Sequence, residues 1–161
     1  MTDNIIQLVE DDVLRLKIVD KDGKETGESL EFDLEDIDLL IRYQTLLEED
    51  KKLRLNVKNQ FIIIDKKQDH KGKKLLSANE EAKIKAVQDF YRKEVEIYNG
   101  FLGERGVEKL LNGRKVNWSC FDYIDDIIDK QIMPKLKISA DDFKTKIMKK
   151  YSNNKKDDVI E

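Results

Sequence analysis

Read for the spacing of its apolar positions, the chain changes period once. Leu14, Leu16 and Ile18 alternate with Arg15 and Lys17, turn residues follow at Asp20-Lys21-Asp22-Gly23, and alternation resumes through Leu30, Phe32 and Leu34. That pattern predicts a β-hairpin over residues 13–34 with one apolar face. From Asp36 the period becomes helical. Ile37, Leu40, Ile41 and Leu47, with Tyr43 and Gln44 between them, make a stripe that continues through Leu53, Val57, Phe61 and Ile64, with Asp36 as the expected N-cap. The stretch from Asp65 to Lys74 has no period and reads as a mobile basic loop. Ser77-Ala78-Asn79-Glu80 is a capping box and predicts a second helix with Ile84, Val87, Phe90, Tyr91, Val95 and Tyr98 on its stripe.

The stretch GFLGERGVEKLLNG at residues 100–113 holds four of the chain's seven glycines. It lacks the Gly-Lys-Ser/Thr step of a phosphate loop and the Gly-x-Gly-x-x-Gly spacing of a dinucleotide site, and a helical pattern precedes it where both need a strand. A helix break fits instead, with Gly103 and Gly106 at the bend and Asn112-Gly113 closing one short helix. Asn117 is the expected cap of a further helix carrying Phe121, Ile124, Ile127, Ile128 and Ile132, which Pro134 should stop. Ser139 to Asp142 then start a last helix through Phe143, Ile147, Met148 and Tyr151. The expected architecture is α+β and mainly α-helical. An N-terminal hairpin (13–34) and four to five helices (36–151) form one domain over residues 1–151, followed by a polar, disordered tail at 152–161.

Charge sharpens this picture. Residues 1–50 hold 5 Lys/Arg against 16 Asp/Glu, and residues 51–74 hold 9 against 2, within a net charge of −3 over 161 residues. Such segregation suits pairing of the two segments with each other or with those of neighbouring copies. A nucleic-acid regulator using Lys51, Lys52, Arg54, Lys58, Lys71, Lys73 and Lys74 is the weaker alternative, because aromatic residues for base stacking are not interleaved with those cations. One cysteine, Cys120, and one histidine, His70, give no disulfide and no Cys/His zinc site. His70 reads as a solvated loop residue and Cys120 as a small buried apolar one. Carboxylates at Asp33, Asp36 and Asp38, and at Asp122, Asp125, Asp126 and Asp129, read as solvated faces, and the DKDG turn lacks the ligand pattern of a calcium loop. The opening MTDNIIQLVEDD carries acid where a secretion signal would be basic, and no apolar run approaches a membrane span. The expectation is a cytosolic binding module with no catalytic, metal or cofactor residues.

Several short motifs carry a resemblance beyond this. Phe32-Asp33, the acidic-apolar helix with Arg42-Tyr43, Phe101-Leu102-Gly103-Glu104-Arg105-Gly106, the Lys109 to Arg114 turn and a later helix rich in Phe, Ile and Asp occur in an order that resembles the tail assembly chaperones of long-tailed phages and prophages of Gram-positive bacteria. It covers about Leu30 to Lys137. The resemblance implies a non-enzymatic protein of the bacterial host cytoplasm that binds the tape-measure protein, assists the tail-tube protein, forms a homo-oligomer and is absent from the mature virion. A structural tail or connector subunit retained in the virion is the alternative. Partner-binding candidates, on stripes wider than a small core requires, are Leu40, Tyr43, Leu47, Phe90, Tyr91, Phe121 and Ile124.

Overall fold

The computed structural model describes residues 4–8 and 12–157, with side chains left undescribed at 137–140, 143 and 153–157. Two strands, β1 (Val13–Val19) and β2 (Glu25–Asp33), are followed by helices α1 (Leu39–Asp65), α2 (Ala78–Leu102), α3 (Gly106–Leu111) and α4 (Cys120–Ile127). A π-helical turn (Ile128–Ile132) leads directly into α5 (Met133–Asp157). The α+β, mainly helical architecture is the one expected from the apolar spacing.

The hairpin is antiparallel, with Leu14 opposite Phe32 and Leu16 opposite Leu30. This register puts the alternating apolar residues on one face. Asp20 closes the turn, its carboxylate accepting from the backbone N–H groups of Asp22 and Lys24, both at 2.9 Å. Leu30 and Phe32 enter the core, where the Phe32 ring lies 5.5 Å from Phe101, which in turn lies 5.2 Å from Tyr43. Lys109 Nζ donates to the Ser29 carbonyl at 3.2 Å and fastens the hairpin to α3.

α1 begins two residues later than expected, at Leu39 with Asp38 in the N-cap position. The Asp36 carboxylate accepts from the Asp38 N–H at 2.9 Å and the Arg42 guanidinium at 2.6 Å, making a side-chain turn ahead of the helix in place of an N-cap. Those two hydrogen bonds hold its carboxyl below the usual range. The shift rotates the front of the stripe: Leu39 and Leu46 are buried, while Ile37, Ile41 and Leu47 are exposed. The capping box forms as anticipated, with Ser77 Oγ accepting from the Glu80 N–H and the Glu80 carboxylate from the Ser77 N–H. The basic connection is less free than its composition suggests. Asp69 accepts from the N–H groups of His70 and Asn79, and the Asn79 amide donates to the Lys67 carbonyl, which ties the connection to the start of α2.

The glycine window is a helix break. Gly103 ends α2 at φ 99° and Gly113 follows α3 at φ 83°, with Asn112 left-handed before it. Gly106 serves a different purpose from the one expected: its φ is ordinary, and a Cβ there would overlap Leu102 Cβ. The left-handed bend residue is Arg105. Asn99 reaches across the break, its Oδ1 accepting from the Val107 N–H at 2.8 Å, and so supplies the cap that Arg105 lacks.

Three further expectations are corrected. Asn117 is not the cap of α4; Ser119 holds that position, and Asn117 Oδ1 accepts from the Ser119 N–H and hydroxyl. Pro134 does not stop the helix, because the wider turn just before it accommodates the residue whose N–H is missing and whose ring crowds the preceding turn. Helix α5 is therefore already running at Ser139. It continues through Asp157, past the expected tail boundary at 152, in a stretch with no glycine or proline to end it; residues 158–161 lie outside the described residues.

Gly106→Ala is expected to destabilise the fold by about 1–3 kcal/mol through overlap with Leu102, and Gly103→Val by at least about 1 kcal/mol through its backbone angle. Urea midpoints measured beside wild type check both, and an unchanged midpoint for Gly106→Ala would contradict the packing of this break.

Candidate functional site

Two features stand apart from ordinary core packing. The first is a line of polar side chains where α1, α2 and α4 meet. Asp50 and Arg54 are one turn apart on α1, Glu94 and Tyr98 one turn apart on α2, and Asp125 projects from α4. Arg54 Nε donates to the Asp50 carboxylate at 3.0–3.1 Å, and its Nη2 lies 3.9 Å from Asp125 Oδ2. The Tyr98 hydroxyl donates to Asp125 Oδ1 in a short hydrogen bond.

Glu94 is the enclosed member, 0% exposed, and neither of its oxygens meets a hydrogen-bond donor among the described residues. Desolvation, then the nearby Asp50 carboxylate, push its pKa to about 9. At neutral pH it is therefore a neutral acid, able to donate its proton to Asp50. Asp125 is raised by desolvation as well, although the Tyr98 hydroxyl opposes the shift. The Tyr98 phenol is pushed up by its own burial and by Asp125. Chemically the cluster sets a neutral carboxyl beside the Asp50–Arg54–Asp125 ion pairs; with Glu94 sealed from solvent, it acts on the helices around it.

The second feature is an open groove of about 540 Å³ between the end of α1, the first half of α2 and the α3–α4 connection. Phe61, Ile84, Val87, Tyr91, Val116 and Trp118 form its apolar walls. Trp118, the chain's single tryptophan, is 83% exposed there. Lys83 stands at the edge, 2.5 Å from Asp65 and 5.4 Å from the centre of the Phe61 ring. Exposed aromatic and aliphatic side chains grouped around a concavity are uncommon on a surface that is otherwise densely charged.

The partner-binding candidates divide between core and surface. Phe121 and Ile124 are buried and leave the candidate list: Phe121 stacks on Tyr91 at 5.9 Å and lies 5.0 Å from Tyr98. Tyr43 packs on Phe101, Phe90 touches Tyr91, and Leu40 is half-buried. Leu47 is exposed but lies outside the groove. Tyr91 alone among the seven lines it. Cys120 is buried and its thiol is pushed up by desolvation, in keeping with its reading as a small apolar residue. Asp125 belongs to the interior cluster, while Asp126 pairs with Lys130 at 2.8 Å. Arg54, one of the cations of the nucleic-acid reading, is committed to Asp50. Among the described residues no group of acidic, cysteine or histidine side chains is placed to hold a metal ion, and no helix is long and apolar enough to cross a membrane.

Sequence reasoning missed Glu94 and Trp118. Glu94 had a signal: Tyr91, Glu94, Tyr98 and Phe101 are spaced three, four and three residues apart, so a carboxyl sits at an inward position. Trp118 had none, because exposure of a loop aromatic depends on how the neighbouring helices close.

No family model, curated protein or solved structure matches the chain.

The raised Glu94 pKa sets the sign of a pH effect. Between about pH 4.5 and 9 the unfolded chain has released this proton and the folded chain has kept it. Raising pH across that window therefore removes stability, at a rate of up to about 1.4 kcal/mol per pH unit. Asp125 adds in the same direction. Glu94→Gln, which keeps the neutral shape, is expected to flatten the loss and to be more stable than wild type at pH 8; urea titrations from pH 5 to 9 on both proteins provide the check.

Proposed function

We propose that the chain is a non-catalytic assembly chaperone of a long-tailed phage or prophage, and that its groove receives an amphipathic helical segment of the tape-measure protein. The observation that carries this reading is the Trp118 groove. Its walls are apolar, it is open along one side, and its edge carries a lysine. An amphipathic helix placed there buries its own stripe and covers the tryptophan without any covalent chemistry, as helix-in-groove partners do. Large aromatic side chains at the centre of such a contact contribute most of the binding free energy. The order of motifs from Leu30 to Lys137 supports the choice of partner.

On this reading the protein acts in the host cytoplasm, keeps the aggregation-prone tape-measure protein in solution, assists delivery of tail-tube subunits and leaves before the virion is complete. Retention as a structural tail or connector subunit is the competing reading, and mass spectrometry of purified virions separates the two: absence of the chain favours the chaperone.

Co-expression with the tape-measure protein of the same phage or prophage is expected to yield a soluble complex. Trp118→Ala and Ile84→Asp should each weaken that complex about tenfold or more, equivalent to ~1.4 kcal/mol. Pull-down and light scattering read the result, and full retention of binding in both variants would remove the groove from the proposal.

A further inference from the structure

β1 pairs with β2 along one edge, and the two strands make up the whole sheet among the described residues. In an antiparallel pair, residues that exchange both backbone hydrogen bonds with the partner alternate with residues that aim both groups away from it. The Asp12 carbonyl accepts from the Leu34 N–H at 2.9 Å, and the Ile18 carbonyl accepts from the Thr26 hydroxyl at 3.0 Å. Even-numbered positions of β1 therefore face β2, and Val13, Arg15 and Lys17 turn their N–H and C=O groups outward. Those of Val13 and Lys17 meet no hydrogen-bond partner among the described residues. The outer edge of β2 is different. Ser29, opposite Lys17, also turns its carbonyl outward, and Lys109 Nζ donates to it at 3.2 Å. Arg105 pairs with Glu28 at 3.7 Å, and Gly27 at φ 84° interrupts the extended backbone. That edge is covered from α3 and its N-cap, and the β1 edge is open.

Beside the open edge lies a cleft of about 530 Å³. The five consecutive residues from Arg15 to Val19 all border it, whichever way their side chains point, which puts its mouth at the edge of the strand. The opposite wall is apolar, built by Leu110 of α3 and by Ile127 and Ile132. None of the residues around this cleft lines the Trp118 groove. A strand added to β1 would run about 4.8 Å from it. Its side chains opposite Leu16 and Ile18 would face the apolar wall, and those opposite Arg15 and Lys17 would lie on the outer face. The cleft carries three basic side chains, Arg15, Lys17 and Lys135, and no carboxylate among the described residues. Arg15 already meets Glu31 at 3.3 Å and Lys17 meets Glu25 at 3.6 Å. All four side chains are more than half exposed, and exposed pairs of this kind hold their partners weakly. Charge therefore biases the choice of partner, while the backbone edge and the apolar wall make the contact.

A second copy does not supply a suitable strand. Antiparallel pairing of two β1 edges sets Arg15 and Lys17 opposite each other or opposite their own counterparts, which is unfavourable, and the outer edge of β2 is covered. We propose that the β1 edge accepts an extended segment of a partner protein as a third, antiparallel strand, with apolar residues at every second position and acidic residues between them. Main-chain hydrogen bonds then hold the segment and the apolar wall selects its side chains. The contact is separate from the Trp118 groove and stands whether or not the chaperone reading does.

The probe is a short capped peptide alternating valine and glutamate, added to the full chain. Amide hydrogen exchange read residue by residue by NMR is expected to slow about tenfold or more at Val13 and Lys17 when peptide saturates, and to stay unchanged at Leu16, which is already bonded to β2. In this register the glutamate amides bond to β1 and the valine amides face away. A peptide N-methylated at its glutamates should therefore bind about tenfold or more weakly, and one N-methylated at its valines should bind as the parent does. Lys17→Pro, which removes a donor at an edge position, should weaken binding likewise, while Lys17→Ala keeps the N–H and should bind within about threefold of wild type. No slowing at Val13 and Lys17 with peptide at millimolar concentration, or equal binding by the two methylated peptides, overturns the proposal. So does slow exchange at these amides in the chain alone: if it grows with protein concentration, a second copy holds the edge, and if removal of residues 1–8 abolishes it, the chain's own N-terminal arm does.

Discussion

Glu94 lies where α1, α2 and α4 close on one another, and the helices can meet there only while its carboxyl stays neutral. An ionised carboxylate with no donor within reach costs several kcal/mol to enclose. The surrounding groups have the opposite need: Asp50 and Asp125 remain at the wetter edge of the cluster and share Arg54 as their cation. The result is a gradient from a dry protonated acid to a solvated ion pair. It fixes which turn of α1 faces which turn of α2, because a shift of one turn would separate Asp50 from Glu94 and leave the acid against hydrocarbon.

Aromatic packing radiates from that point. Tyr98 and Phe121 are in contact, Phe121 stacks on Tyr91, and at the other end Phe101 bridges Tyr43 and Phe32. The hairpin is thus docked through Phe32 onto the same helix that carries the buried acid. Just past Phe101 lies the break at Gly103 to Gly106, where Asn99 caps α3 and the absent Cβ of Gly106 lets the chain fold back onto Leu102. The opposite end of α2 has no comparable cover, so Ile84 and Val87 line an open groove.

Much of the fold was legible in the chain because local rules and tertiary packing agreed. The hairpin register follows from Leu14, Leu16, Leu30 and Phe32, and the start of α2 from Ser77 and Glu80. The stripe of α1 was read one residue out of phase at its start because Asp36 has a good capping side chain and uses it for a turn. Pro134 misled for a related reason: its local preference was met by a widened turn instead of a helix end. The groove was the least legible part. Its walls come from α1, α2 and a connection more than thirty residues downstream of the capping box, and no single stretch records that they converge.

The widened turn also settles a matter of phase. Ile124, Ile128, Ile132 and Leu136 are all buried, a strict repeat of four. In an unbroken α-helix such a repeat drifts by about 40° at each step and would have wound around the rod by about 120° between Ile124 and Leu136. A π turn takes more than four residues to complete one revolution, so it turns the chain less per residue and cancels part of that drift. The turn at Ile128–Ile132 works as a vernier: it resets the helix by a fraction of a turn, so that residues on both sides of Pro134 address the same core.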